Sequence, residues 1–184
     1  MTTSTLDSLF DSQSFGNGYV FVDGVEMHAE NGDRFQIPHP VLKRHVCEGQ
    51  FIELRVDSPR FSAHPDAPES CTCSHCSEEA SKPILSHQSP ATLFPLPPQD
   101  VPSRGWGEDF WVQVTERDGG YLKGRVDNPL YEARLHGIHE GSEIVFHENH
   151  ILAVHGMHRV ELMTQMNEDE LRELAQWLAS QQNG

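Results

Sequence analysis

The chain has 184 residues, which is enough for one sizeable domain or two small ones. Its formal net charge of −15 at pH 7 argues against electrostatic binding to nucleic acids or to anionic membranes, because both need clustered Lys and Arg. No apolar run approaches the roughly 20 residues of a membrane-spanning helix. We therefore expect neither a nucleic acid nor a membrane among its partners.

The first 18 residues are polar, with Ser, Thr and Asp prominent. They lack the basic and apolar regions of a secretory signal. We expect a disordered acidic tail over 1–18, followed by a single β-rich domain over 19–184. Without an export signal the expected location is the cytoplasm, where thiols stay reduced and a cysteine cluster favours metal binding over disulfides.

Two segments of the N-terminal half predict β-strands. Residues 19–38, YVFVDGVEMHAENGDRFQIP, predict three short strands separated by hairpin turns. Residues 50–56, QFIELRV, alternate apolar and polar side chains and predict a fourth strand. The joins of the first three strands are two dipeptides that favour the positive φ angles of tight turns: Asp23-Gly24 and Asn31-Gly32.

Residues 58–105 differ in composition from the segments on either side. They hold nine of the chain's 12 prolines and three of its four cysteines. Such a density of proline removes backbone hydrogen-bond donors and excludes a regular helix or a central strand. We therefore predict an irregular Cys- and Pro-rich insertion between two sets of strands.

Strands are predicted to resume after the insertion. Residues 109–116, DFWVQVTE, and residues 121–127, YLKGRVD, alternate in the same way and are joined by a turn at 117–120. Residues 143–154, EIVFHENHILAV, predict a further hairpin that turns near Glu148. These segments point to an antiparallel sheet.

The C-terminal segment predicts a helix over 167–181. Asn167 is a good N-cap, Glu170 stands three residues later as in a capping box, and Met166 is placed to pack on Leu171. The apolar positions of the predicted helix recur at helical spacing on one face: Leu171, Leu174, Ala175 and Leu178.

Three cysteines lie close together in the insertion, at Cys71, Cys73 and Cys76. Zinc takes about four Cys or His ligands in a tetrahedron, and the spacing of Cys73 and Cys76 lets two thiolates bind one ion from a tight turn. Long irregular loops need something to organise them, and bound zinc contributes folding free energy directly. We therefore predict structural zinc. The fourth ligand is predicted to be Cys47, with three histidines as alternatives: His64, His75 and His87.

Other interpretations of the cysteine cluster stay open. One alternative is that the thiols are simple reduced side chains. Another is a redox pair of Cys73 with Cys76 or Cys71, although no helix is predicted there to lower a thiol pKa. A catalytic zinc or an iron–sulfur cluster is a further alternative, and catalytic zinc would need an open coordination position and a general base nearby.

Histidines are numerous near the C-terminal strands. If the chain turns at Glu148, then His147 and His150 face each other across a hairpin and could bind a metal ion with help from Glu148 or His139. A polar hairpin tip in water is the simpler interpretation. Six of the 12 histidines lie in this region: His136, His139, His147, His150, His155 and His158.

Residues 110–154 resemble an uncharacterised bacterial family of small β domains. The similar positions are Trp111 to Val114, Gly124 to Pro129 and Gly141 to Phe146, followed by the strand that ends at Val154. The resemblance implies a small curved β-sheet or barrel. It transfers no catalytic residues, and the cysteine cluster lies outside it.

Together these patterns predict an α+β fold dominated by antiparallel strands. We expect an SH3- or OB-like partly closed sheet, a proline-rich, zinc-stapled insertion and one C-terminal helix. The expected function is a cytoplasmic binding or regulatory module for a protein or small-molecule partner, with no catalysis assigned. The alternatives are a metal-dependent hydrolase that uses the His-rich hairpin, and a thiol redox or metal-handling protein.

Overall fold

The structure of the chain is a computed structural model, and it describes residues 5–58, 70–71, 80–81 and 106–181. In chain order the strands are β1 (Val20–Phe21), β2 (Phe51–Ser58), β3 (Ser70–Cys71), β4 (Ala80–Ser81), β5 (Trp106–Asp118), β6 (Tyr121–Val126), β7 (Glu143–His147) and β8 (Ala153–Val154). The helices are α1 (Leu6–Ser12), α2 (Gly24–Asn31), α3 (Pro40–His45), α4 (Ala133–His136), α5 (Arg159–Gln165) and α6 (Glu168–Gln181).

The centre of the fold is one antiparallel sheet in the order β1-β2-β5-β6-β7, with β8 pairing with β2 beside β1. The predicted α+β class and antiparallel sheet are confirmed. Strand β2 covers the predicted segment, and β5 and β6 meet at a two-residue turn, because Asp118 pairs with Tyr121 and Gly119 takes a φ of +59°. A positive φ is the conformation that such a turn requires.

The core lies on one face of this sheet. Ile52, Leu54 and Val56 of β2 alternate with polar residues and are fully buried. Phe110 and Val112 of β5 extend the same apolar layer. Full burial of one such side chain contributes about 1.5–3 kcal/mol, so the alternation along the central strands fixes which face of the sheet is inside.

The segment predicted as three strands contains one strand and a helix instead, so that prediction is wrong. Asp23 caps the N-terminus of α2, because its Oδ1 accepts hydrogen bonds from the backbone N–H groups of Val25 at 2.8 Å and Glu26 at 3.0 Å. Gly32, with a φ of +58°, lies at the C-terminal end. The two dipeptides thus mark helix ends, and burial of Met27 fixes the helix on the core.

The predicted hairpin over 143–154 is also wrong. Strand β7 ends at His147, a 3-10 turn follows over Glu148–His150, and β8 pairs with β2 rather than with β7. In a flat sheet β8 would lie four strand spacings, about 19 Å, from β7. A 3-10 turn advances only about 2 Å per residue, so this short connection requires the sheet to curl into a half-barrel.

The expected disordered tail differs from the structure over residues 5–18. These residues form α1 and a 3-10 turn, and Leu6 is buried. The side chain of Gln13 pairs with the outer edge of β7: its Nε2 donates to the carbonyl of Val145 at 2.8 Å, and its Oε1 accepts from the N–H of Val145 at 2.9 Å. An amide that satisfies both backbone groups protects an edge strand that would otherwise expose them.

The C-terminal helix is confirmed as α6, and its capping box is present. The Oδ1 of Asn167 accepts from the N–H of Glu170 at 3.0 Å, and the carboxylate of Glu170 accepts from the N–H of Asn167 at 3.0 Å. The buried face overlaps the predicted one: Leu171 and Leu174 pack on the core together with Trp177, whereas Ala175 and Leu178 are exposed. Five further helices, α1 to α5, are described in addition to the predicted one.

Candidate binding groove

An open groove runs between α5, α6, β8 and residues 36–38, with a cavity volume of about 470 Å³. We call it the α5–α6 groove. Its base is made by Leu162 and Leu174, which are both buried, and Trp177 forms a wall. Met163 and Leu178 line it while remaining 47% and 48% exposed. The lining is therefore mainly apolar.

The two faces of α5 explain how this surface forms. Leu162 points into the core, and Met166 after the helix is buried as well. Val160 and Met163, three residues apart, lie together on the outer face. The sequence contains a signal for this surface in its apolar residues at 160–163. Packing on one sheet requires apolar residues on one face of a helix only, so apolar residues on a second face indicate a further contact surface.

A second cavity of about 330 Å³ adjoins the groove and shares Gln36, Ile37, Pro38 and Trp177 with it. Its lining is more polar, with Asp33 and two histidines. The Nδ1 of His28 lies 2.7 Å from the carbonyl oxygen of Phe35 and therefore donates to it.

The charges around the groove are mostly negative. Helices α5 and α6 together carry five acidic residues and two arginines. Arg159 lines the apolar part of the groove and makes no hydrogen bond or ion pair with any described residue. Asp33 lies in the adjoining cavity. The groove itself is thus lined by one cation, and the adjoining cavity by one carboxylate.

Histidines in this protein cap turns. In four places a ring Nδ1 accepts a hydrogen bond from the backbone N–H two residues later, at distances between 3.0 and 3.4 Å. Asn and Asp usually make this contact at turns and helix N-termini. The sequence patterns did not predict this role. The four pairs, with the accepting histidine named first and the residue that donates its N–H second, are His39 and Val41, His136 and Ile138, His147 and Asn149, and His155 and Met157.

The paired-histidine arrangement predicted at the hairpin is therefore not formed. His147 and His150 belong to the same short turn, and the Nδ1 of each accepts from a backbone N–H. No set of three His, Cys, Asp or Glu side chains among the residues that the structure describes is arranged to hold a metal ion.

His150 is the most perturbed of these histidines. It is 9% exposed, and its ring lies 5.5 Å from the ring of Phe10 and 5.4 Å from that of Phe21. Burial in this apolar environment lowers the pKa of His150 to about 4, an effect that the nearby carboxylate of Asp23 partly opposes. The ring is therefore neutral at physiological pH.

A group of polar side chains is buried where α4 meets the sheet. The carboxylate of Glu108 accepts from the backbone N–H of Tyr131 at 3.0 Å and of Glu132 at 2.6 Å. The Nε2 of His136 lies 3.9 Å from Glu108. Burial, together with the nearby carboxylates of Glu132 and Glu108, raises the pKa of the Tyr19 hydroxyl. Glu108 belongs to β5, and its carboxylate accepts from backbone N–H groups at the start of α4 that have no partner within the helix. The contact therefore holds this short helix on β5.

The predicted zinc ligands fall mostly outside the described residues. Cys71 lies in β3, which pairs with β4, and no side-chain geometry is described there. Cys47 is half-buried after α3, and its Sγ accepts from the Nε2 of Gln165 at 3.7 Å. The remaining predicted ligands all lie outside the described ranges: Cys73, Cys76, His64, His75 and His87.

Comparison of the chain with protein-family models, curated proteins and solved structures finds no match. Across residues 5–58 and 106–181, none of the helices has the length and apolar character that crossing a membrane requires. The function is therefore inferred from the groove itself.

Proposed function

We propose that the protein is a cytoplasmic binding module that holds an amphipathic, basic helical segment of a protein partner in the α5–α6 groove. The observation that carries this proposal is the exposed apolar surface beside the cavity. Met157 and Val160 are 69% and 73% exposed and lie next to the groove in sequence without lining its cavity. Val160 lies one helical turn from Met163 on α5, and exposed apolar side chains grouped beside a groove are typical of interaction sites.

The extent of this surface favours a protein segment over a small molecule. A small ligand is largely enclosed by its pocket, so apolar side chains outside the cavity would gain nothing from its binding. A helix laid into the groove would cover Met163 and Leu178 and reach Val160 on the rim. Methionine side chains are flexible and polarisable, which suits them to an exposed binding surface.

Charge favours a basic partner. The chain carries a net charge of −15, and α5 and α6 contribute more acidic than basic residues. Complementary charge accelerates association and selects against acidic competitors. Asp33 in the adjoining cavity offers a partner to a basic side chain of the segment, and Arg159 in the groove offers one to a carboxylate.

A structural zinc in the insertion belongs to the same proposal, as does an SH3- or OB-like closure of the curled sheet. The ligands are Cys71, Cys73 and Cys76, with Cys47 as fourth or, alternatively, His64, His75 or His87. Pairing of Cys71 with Ala80 supports this assignment, because Cys73 and Cys76 lie between these two residues in the sequence. The zinc stabilises the insertion and takes no part in chemistry.

Fluorescence anisotropy with designed peptides tests the groove. The probe is a labelled amphipathic helix of about 14 residues, four turns, built from Leu and Lys. Its control is the same peptide with Glu in place of Lys. We expect the basic peptide to bind at least about tenfold more tightly than the acidic one at low salt.

Two variants localise the binding. Met163→Glu combined with Leu178→Glu places charges in the groove, and we expect at least about a tenfold loss of affinity. Tyr131→Glu is the matched control, because Tyr131 is 78% exposed and lies outside the groove. Equal losses in both variants, or equal affinity for the acidic peptide, would contradict the proposal. Self-association that Met163→Glu abolishes would show instead that a second copy covers the groove.

A further inference from the structure

A second site is suggested by a pocket of about 500 Å³ between α1, the turn over 16–18 and β1. We call it the α1 pocket. It shares no lining residue with the α5–α6 groove. Its lining is dominated by rings: Phe10, Phe15, Tyr19, Phe21 and His150.

The rings form two walls that meet at a steep angle. Phe10 and Phe21 both lie nearly parallel to the ring of His150, with interplanar angles of 24° and 30°. Phe15 is set across this stack, because its plane makes 80° with that of Phe21 at a centroid distance of 5.0 Å. The walls form a corner rather than a parallel slot, so they fit a compact rounded group better than a flat ring.

Local structure fixes these rings in place. Phe21 is held by β1, where it pairs with Val56 of the central strand β2. Phe10 lies on α1, whose C-terminal end is tied to the sheet by the hydrogen bonds between Gln13 and Val145. Phe10 and Phe21 therefore rest on elements that are anchored to the sheet, and Phe15 packs against the core.

The charges at the pocket favour a cation. Among the described residues that line it, Asp11 carries a carboxylate, and none is Lys or Arg. His150 stays neutral at physiological pH because burial lowers its pKa to about 4. Asp11 is exposed, so a bound cation would keep part of its hydration while it contacts the rings.

We propose that the α1 pocket binds a methylated ammonium group, such as a quaternary amine or a methylated lysine side chain. The faces of aromatic rings carry negative electrostatic potential and attract a cation within about 6 Å of the ring centre. A trimethylammonium group is compact, rounded and weakly hydrated, so it fits a corner of rings, and Asp11 supplies the opposite charge. A neutral group of the same shape would gain burial without this attraction.

NMR titration of the full chain tests the proposal, with chemical-shift changes followed at Gly18 and Phe21. The probes are choline and its neutral isostere 3,3-dimethyl-1-butanol, compared at constant ionic strength. We expect saturable binding of choline in the millimolar range, about fivefold tighter than the isostere, which corresponds to a cation–π contribution of about 1 kcal/mol.

Three variants separate charge from packing. Asp11→Asn is expected to weaken choline binding about threefold and to leave binding of the isostere unchanged. Phe15→Leu keeps an apolar side chain but removes a ring, and we expect about fivefold weaker choline binding. Asp7→Asn is the control, because Asp7 lies on the same helix and outside the pocket, and its effect is expected to stay below about twofold.

Equal affinity for choline and the isostere would overturn the proposal, as would the absence of saturable shifts at Gly18 and Phe21. Equal effects of Asp7→Asn and Asp11→Asn would show that choline responds to the overall charge of the protein and not to a site. If Phe15→Leu fails to fold by circular dichroism, the comparison of the two aspartate variants decides the question.

Discussion

Acidification is expected to destabilise the fold through His150. Its pKa is lowered from 6.5 to about 4 in the folded protein because the ring is buried between Phe10 and Phe21. As the pH falls, the unfolded chain therefore binds a proton at this site before the folded chain does. The stability present above pH 6.5 is lost progressively down to about pH 4, below which both states are protonated.

The magnitude follows from the size of the shift. Each unit of pKa difference corresponds to about 1.4 kcal/mol, so a change from 6.5 to about 4 corresponds to roughly 3 kcal/mol of folding free energy. This is a large part of the 5–15 kcal/mol that typically stabilises a domain.

Urea unfolding measured at several pH values between about 7 and 4 tests this reasoning. His150→Asn removes the titration and keeps an acceptor near Nδ1 for the backbone N–H of His147. The variant is less stable at neutral pH, since it loses the ring contacts. The stability difference between wild type and variant is expected to shrink by roughly 3 kcal/mol on acidification.

A matched control is His139→Asn, because His139 is exposed and its ring makes no hydrogen bond to the described residues. It makes the same exchange at an exposed position, so any effect that it shares with His150→Asn does not come from burial of the ring. If the difference between wild type and His150→Asn is the same at both ends of the pH range, His150 titrates normally and the inference from its burial is refuted.

Four further predictions concern the sheet, the helix cap and the zinc site. Gly124→Ala should cost about 2 kcal/mol in thermal or urea unfolding, because its Cβ would lie 2.4 Å from a methyl group of Val112. Gln13→Ala should cost about 1–2 kcal/mol and abolish hydrogen-exchange protection of the Val145 amide. Asn167→Ala should lower the unfolding free energy by about 1 kcal/mol through loss of the N-cap. Cys73→Ser should eliminate about one bound zinc per chain in metal analysis, and a metal-free wild type with a reversible disulfide would favour the thiol redox alternative.

Local patterns were enough to predict several elements. The alternation in residues 50–56 predicted β2, because an apolar residue at every second position defines a strand with one buried face. The turn between β5 and β6 followed from its glycines, and the capping box at Asn167 located the start of α6. Each of these signals lies within a few residues of the structure it specifies.

Signals that serve two structures were misassigned. Asp23-Gly24 suits a hairpin turn and equally a helix N-cap, and the choice depends on whether Met27 has a core to pack against. Histidine is a common metal ligand, yet His147 and His155 accept hydrogen bonds from nearby backbone N–H groups. Side-chain chemistry alone does not distinguish a ligand from a cap.

The sequence by itself therefore determined the antiparallel β-rich class, the central strands and the C-terminal helix, since each depends on local periodicity, turn and capping chemistry. Tertiary structure decided what depends on contacts between distant residues. It brought β8 to β2 and curled the sheet, placed Gln13 on the edge of β7, and left Met163 and Leu178 exposed beside the groove. Burial depends on which elements meet, so the exposed apolar surface on which the proposed function rests is defined only once the chain has folded.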